Sequence, residues 1–167
     1  MNIIVNDANI IFDIIEIDLT GFFFQLKYKF LITDFVYNEI EKFEQKKLIE
    51  EYIQKDSLVI YEIDDIEKIY EKNQKNPNIS AEDCSVLIAA VEKKAMILTG
   101  DKSLRQIAEK EGTEVHGILW VFDTLIDNEI ISDKLAIDKL TKLMKLNIRL
   151  PFNECQERLK KWGNKLI

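Results

Sequence analysis

Histidine, cysteine, proline and glycine are all scarce in this chain of 167 residues, which contains one, two, two and five of them respectively. The single histidine, His116, excludes a metal cage built from several imidazoles. The two cysteines, Cys84 and Cys155, stand far apart, so neither a disulfide framework nor a zinc knuckle is predicted. Any chemistry is therefore expected to depend on carboxylates.

Long apolar runs are also missing. No stretch reaches the roughly 18 apolar residues of a membrane span, and the first residues, MNIIVND, lack the basic start of a secretory signal. We therefore expect a cytoplasmic protein that makes no membrane contact. With 47% apolar and 32% charged residues, the composition is typical of a globular protein with a sizeable core.

The charge is unevenly distributed. The formal net charge is −7, which argues against binding nucleic acid through bulk charge alone. Residues 1–133 hold 14 Lys and Arg against 27 Asp and Glu, whereas residues 134–167 hold 9 against 3. The basic C-terminal part is either an ordinary solvated helix face or a surface that meets a polyanion.

Short apolar runs alternate with helical patterns. The runs NIIVND, KFLITD, LVIYEI and AMILT predict strands, and the patterns between them predict helices. Two further helices are predicted around 132–146 and 152–164. This alternation predicts an α/β fold in which a central, mostly parallel sheet lies between two helical layers. We assign residues 1–130 to this domain and 131–167 to a helical extension packed on it.

Helical spacing predicts which side chains face the core. Residues expected to recur on one apolar helix face are Phe35, Val36, Ile40 and Phe43 in one helix, Ile66, Ile69 and Tyr70 in the next, and Val86, Leu87, Ala90 and Val91 in a third. Ser80 is predicted to begin the third helix, with Asp83 in the capping-box position.

Four acidic residues stand where the predicted fold brings them together. Asp7 and Asp101 follow predicted strands directly, and Glu39 and Asp83 lie on helices that flank the same edge of the sheet. Convergent carboxylates repel one another unless a cation lies between them, and oxygen ligands suit Mg²⁺ or Mn²⁺. Taken singly, each acid also has a plain interpretation as a strand end, a solvated residue or a helix cap.

Several segments resemble the PIN domains, a family of metal-dependent nucleases. They are IIVNDAN at 3–9, VYNEI at 36–40 and SAEDCSVLIAAVEKKAMILTGDKSL at 80–104. The last third, from VHGILWVFDTLI to LNIRLPFNECQERLKKWG, is similar to a prokaryotic subgroup with an added helical tail. Many relatives are toxin ribonucleases of toxin–antitoxin pairs, of the VapC kind.

The resemblance implies roles for particular residues. Asp7, Glu39, Asp83 and Asp101 match the family's four catalytic, metal-binding acids, and neighbouring Glu82 is an alternative third ligand. Asn9 and Thr99 match positions that support these acids. The further acid that relatives often have after the fourth aspartate is absent, because Lys102 and Ser103 stand there.

The implied activity is hydrolysis of RNA phosphodiester bonds with Mg²⁺ or Mn²⁺, by a toxin of a type II toxin–antitoxin pair. The expected partners are RNA, an antitoxin protein and a second copy in a homodimer. Basic residues of the tail are expected to contact RNA or a partner: Lys142, Lys145, Arg149, Lys160 and Lys161. The alternative is a PIN-like module that binds protein or RNA without cutting it.

Overall fold

The computed structural model describes residues 1–167 and contains ten helices and five strands. No helix is both long enough and apolar enough to cross a membrane. The elements, in chain order, are β1 (Ile3–Asn6), α1 (Ala8–Glu16), α2 (Thr20–Phe23), β2 (Lys29–Thr33), α3 (Asp34–Glu39), α4 (Phe43–Gln54), β3 (Leu58–Tyr61), α5 (Ile66–Lys75), α6 (Ala81–Lys93), β4 (Met96–Leu98), α7 (Lys102–Lys110), β5 (Val115–His116), α8 (Ile118–Asp127), α9 (Asp133–Leu146) and α10 (Phe152–Asn164).

All five strands are parallel and form one sheet in the order β3-β2-β1-β4-β5. The chain adds strands on one side of β1 and then on the other. Right-handed connections consequently place α4 on one face of the sheet and α6 and α7 on the opposite face. Strand residues such as Val5, Ile32 and Ile97 are completely buried, as expected where helices cover both faces. The predicted three-layer α/β/α architecture is confirmed.

Five helices begin at a side chain that accepts a hydrogen bond from the first turn: Thr33 for α3, Asp65 for α5, Ser80 for α6, Asp101 for α7 and Ser132 for α9. Such N-caps satisfy backbone N–H groups that have no partner within the helix. Two of these caps, Ser80 and Asp101, lie in the segment 80–104, which contains two of the four predicted site acids.

The chain consists of two compact units. One comprises Met1–Ile11 and Lys27–Gly117 and contains the whole sheet. The other comprises Phe12–Leu26 and Ile118–Ile167. The domain boundary predicted between residues 130 and 131 stays a prediction.

The second unit is helical. Its core includes Phe122 and Trp162, whose ring centroids lie 5.9 Å apart. A half-buried ion pair joins Arg158 to Asp123, with the guanidinium donating to both carboxylate oxygens at 2.8–3.2 Å. The helices predicted around 132–146 and 152–164 are confirmed as α9 and α10.

Several predictions of inward-facing residues are wrong. Ile66 and Tyr70 are 69% and 65% exposed, because α5 packs on α6 through the face that carries Ile69. Val91 is 51% exposed near the end of α6. Phe43 is 75% exposed, since α3 ends at Glu39 and a separate helix begins at Phe43 itself. Helical periodicity alone does not tell which neighbour covers a face.

Candidate metal centre

The strand order reverses between β1 and β4, which lie side by side in the sheet. Asn6 stands opposite Leu98 in their register, and the N–H of Asp7 donates to the carbonyl oxygen of Leu98 at 2.9 Å. In parallel α/β sheets such a reversal opens a crevice beyond the carboxyl ends of the strands, where ligands bind. Asp7 follows β1 and Asp101 follows β4, so both acids lie at this crevice.

Asp7 is 4% exposed and its carboxylate accepts three hydrogen bonds. The N–H of Ala8 donates to Oδ1 at 2.7 Å. The Asn9 side-chain amide and the Thr99 hydroxyl donate to Oδ2 at 2.7 and 2.6 Å. These donors fix the orientation of the carboxylate. Asn9 and Thr99 thus contact the residue that they are predicted to support, and their catalytic role stays a prediction.

The same two side chains also bind the backbone that follows β4. Thr99 Oγ1 accepts from the N–H of Asp101 at 2.9 Å, and Asn9 Oδ1 accepts from the N–H of Gly100 at 2.9 Å. A Cβ at residue 100 would lie 3.3 Å from Asn9 Oδ1, so the missing side chain permits this close approach. The ends of β1 and β4 are therefore joined by a continuous set of polar contacts.

Asp83 and Asp101 both cap helices. Asp101 Oδ1 accepts from the N–H of Leu104 at 2.7 Å. Asp83 and Ser80 form a capping box, in which each side chain accepts from the other residue's N–H at 3.0 Å. The plain interpretation of both acids is thus confirmed. Each nevertheless keeps one carboxylate oxygen, Oδ2 of Asp101 and Oδ1 of Asp83, that accepts no hydrogen bond from the protein.

Glu39 is the last residue of α3 and its side chain is exposed. Its pKa is nevertheless raised to about 7, first by partial desolvation and then by the negative charges of Asp7, Glu82 and Asp83. These charges act on Glu39 only because they lie within electrostatic range. We call Asp7, Glu39, Glu82, Asp83 and Asp101 the carboxylate cluster.

Burial and mutual repulsion also perturb the aspartates of the cluster. Burial raises the pKa of Asp7 to about 6, although the Thr99 hydrogen bond opposes the change, and the charges of Asp83 and Asp101 add to it. The pKa of Asp83 is raised by desolvation and by the charges of Asp101 and Glu82. Acids that are distant in the chain therefore destabilise one another's charged forms.

The chemistry of the carboxylate cluster fits a hard divalent cation, because Mg²⁺ and Mn²⁺ prefer oxygen ligands. Its spacing is not that of a preformed cage, since no three His, Cys, Asp or Glu side chains are grouped closely enough to hold one ion. An ion would therefore have to draw the acids together. The assignment of Asp7, Glu39, Asp83 and Asp101, with Glu82 as an alternative, as metal ligands stays a prediction.

Sequence reasoning missed a buried pair of hydroxyls beside this cluster. Thr33 Oγ1 and Ser85 Oγ lie 2.6 Å apart, and both residues are completely buried. The one sequence signal was a serine within the apolar stretch of α6. Its partner, 52 residues earlier, could not be identified from a local pattern.

The predicted basic contacts divide into paired and unpaired side chains. The Lys142 ammonium lies 3.3 Å from the carboxylate of Asp18. Lys145, Arg149, Lys160 and Lys161 are exposed, and their side chains make no ion pair. Of the five predicted contacts, these four cations are therefore the unpaired ones.

A five-stranded all-parallel sheet surrounded by helices is consistent with a PIN-like α/β/α fold. A PIN-domain family model matches residues 3–164, and the chain therefore belongs to the PIN-domain family, a nuclease fold. No curated protein matches the sequence.

Two solved structures are similar to this chain. The PAE2754 protein of Pyrobaculum aerophilum matches at 13% identity with a TM-score of 0.50, covering 75% of this chain and 96% of its own. A PilT N-terminus domain protein of Sulfolobus solfataricus P2 matches at 13% identity with a TM-score of 0.49, covering 74% of this chain and 92% of its own. At 13% identity, the likeness to the PAE2754 protein bears on the fold alone.

Proposed function

We propose that this protein is a metal-dependent endoribonuclease whose active site is the carboxylate cluster. The observation that carries the proposal is the placement of Asp7 and Asp101 beyond the neighbouring ends of β1 and β4, where Asp7, Glu39 and Asp83 lie within electrostatic range of other acids. Repulsion between grouped carboxylates opposes their assembly in the folded protein. Such groups are therefore typical of functional sites, where the chemistry requires them. Membership of a nuclease fold family supports the same conclusion.

In this proposal, neighbouring side chains and helix caps orient the acids of the cluster, and the acids bind the ion. Asn9 and Thr99 hold the carboxylate of Asp7 in one direction, and helix capping holds Asp83 and Asp101 so that each leaves one oxygen available. Glu39 completes the proposed ligand set, and Glu82 is the alternative to Asp83. A bound Mg²⁺ or Mn²⁺ would supply a water of lowered pKa and would neutralise charge that develops on the phosphodiester.

Conservative changes at the site test this proposal. Asp101→Asn should fold normally, since asparagine caps helices as well as aspartate does, but should lose cleavage of a mixed RNA pool with Mn²⁺ or Mg²⁺. Asp7→Asn should also be inactive. Asp65→Asn is the matched control, because Asp65 is also the N-cap of a helix, α5, and lies outside the cluster. Cleavage that survives in Asp101→Asn, or in excess chelator, would disprove the mechanism.

A second candidate is a PIN-like module that binds RNA or protein without cutting. The wide spacing of the acids favours it, since no three of them form a ready metal cage. Thermal unfolding with and without Mn²⁺ separates the two functions. An active site should bind the ion and raise the unfolding midpoint, whereas an inactive scaffold should not respond.

The basic tail is proposed to contact the RNA backbone through Lys145, Arg149, Lys160 and Lys161. Binding of RNA by the non-cleaving Asp101→Asn protein should weaken with salt, and each of these four residues changed to glutamine should reduce the slope of log K against log salt by about 0.7. Lys142→Gln should have a smaller effect, because Lys142 already pairs with Asp18. Equal effects at all five positions would contradict this assignment.

A toxin role, an antitoxin partner and a homodimer are also proposed, and they rest on the family resemblance. Expression of the wild type should arrest growth, and Asp101→Asn should not. Sedimentation of the purified protein tests the dimer. Growth that continues under wild-type expression, with cleavage intact in vitro, would reject the toxin role and leave the nuclease proposal standing.

A further inference from the structure

A hydrogen-bonded pair of hydroxyls connects two helices that carry acids of the cluster. Thr33 ends β2 and caps α3, the helix that carries Glu39 at its last position. Ser85 lies on α6, two residues after Asp83. Their oxygens are 2.6 Å apart, and neither side chain is exposed to solvent.

The direction of these bonds follows from counting protons. Ser85 Oγ lies 2.6 Å from the carbonyl oxygen of Glu82 and donates its single proton there. Thr33 must then donate to Ser85. Thr33 Oγ1 remains free to accept from the N–H of Val36 at 3.1 Å. The result is one continuous chain of hydrogen bonds, from the first turn of α3 to the first turn of α6, in which every proton has an acceptor.

These hydrogen bonds hold α3 and α6 together against electrostatic repulsion. The charges of Glu82 and Asp83 on α6 help to raise the pKa of Glu39 on α3, and like charges at this range push the two helices apart. Two apolar side chains could fill the same buried space at nearly equal stability. Hydroxyls differ from apolar groups in that their bonds fix a distance and a direction between the helices.

We propose that Thr33 and Ser85 are positioning residues, which hold α3 against α6 so that Glu39 can share a divalent cation with the acids of α6. This role rests on the proposed function. It concerns residues that touch neither the ion nor the RNA. Groups that orient metal ligands from outside the coordination shell typically change affinity by about 10–100-fold when they are removed.

Calorimetric titration of the purified full-length protein with Mn²⁺ tests the proposal without measuring cleavage. Ser85→Ala and Thr33→Val should each weaken Mn²⁺ binding about 10-fold or more. Thr33→Ser retains the hydroxyl and should bind Mn²⁺ like the wild type. Ile14→Val is the control for general destabilisation, because it removes a buried methylene in the other compact unit and should leave Mn²⁺ affinity unchanged.

The double variant Thr33→Val/Ser85→Ala separates positioning from stability. Ser85→Ala leaves the buried Thr33 hydroxyl without an acceptor for its proton. The double change removes that hydroxyl as well, so its cost in thermal stability should be smaller than the sum of the two single costs. Mn²⁺ affinity should stay as low as in the single variants. Unchanged affinity in the single and double variants would overturn the positioning role and leave the nuclease proposal intact. A wild type that does not bind Mn²⁺ would overturn both.

Discussion

The substitution Thr99→Val measures how much the hydrogen bonds of the Thr99 hydroxyl contribute to stability, because valine has nearly the same shape and lacks the hydroxyl. In Thr99→Val, Asp7 Oδ2 loses a 2.6 Å hydrogen bond and the N–H of Asp101 loses its acceptor at 2.9 Å. A bond to a charged group contributes about 1.5–3 kcal/mol and a neutral bond about 0.5–1.5 kcal/mol. We expect the substitution to lower the free energy of unfolding by about 2–4 kcal/mol near pH 8 in EDTA.

The cost of Thr99→Val should depend on pH because Asp7 titrates. Its pKa is about 6 in the folded protein, above the ordinary aspartate value of 3.8, so the folded state binds the proton more tightly than the unfolded state does. The stability that Asp7 contributes is therefore complete below about pH 4 and is lost as the pH rises through about 6. At about pH 4.5 the carboxyl is neutral and its bond to Thr99 is weaker, so the substitution should remove two neutral bonds and cost about 1–3 kcal/mol.

Urea unfolding followed by circular dichroism at the two pH values measures both quantities. Thr20→Val is the matched control, since Thr20 is 5% exposed and its hydroxyl has no hydrogen-bond partner. That control should stay within about 0.5 kcal/mol of the wild type. The reasoning is refuted if the two valine variants lose equal stability near pH 8, or if the cost of Thr99→Val does not change between the two pH values.

Three further predictions concern stability. Trp162→Ala should lower the free energy of unfolding by about 3–5 kcal/mol in urea, because the indole is 1% exposed. Ser80→Ala should cost about 1 kcal/mol by removing the N-cap of α6, and Ser80→Asp should retain that stability in the same assay. Burial raises the pKa of Asp13 to about 6, so its contribution to stability is present at low pH and lost through about pH 6. Asp13→Asn should therefore leave the unfolding midpoint unchanged near pH 4 and raise it near pH 8. The new amide oxygen can still accept the hydrogen bond from Asn147. Stabilisation at low pH alone would contradict this.

Local patterns predicted the larger part of the fold. Four of the five strands, and the alternation that makes their sheet parallel, follow from short apolar runs joined by helical segments. The fifth strand, β5, has two residues, Val115 and His116, and is too short for periodicity to reveal. The exposure of Ile66 and Tyr70 was mispredicted for a related reason, because an amphipathic pattern names an apolar face but not the element that covers it.

The sequence also indicated which residues stand at the crevice. Asp7 and Asp101 could be placed there because parallel strands end at the same edge of their sheet. Their hydrogen bonds could not be predicted. Asn9 and Gly100 are 91 residues apart in the chain, and their contact exists only because β1 and β4 are neighbours.

The sequence by itself determined four of the five strands, the start of α6 at Ser80 and the identity of the acids, since these depend on side-chain type and on spacing over a few residues. Tertiary structure alone decided which acids perturb one another, which tail cations stay unpaired, and how Thr33 meets Ser85. These properties depend on distances between segments that only the packing of the sheet and its helices brings together. Electrostatic repulsion and hydrogen bonding act through space, and the order of residues along the chain does not specify them.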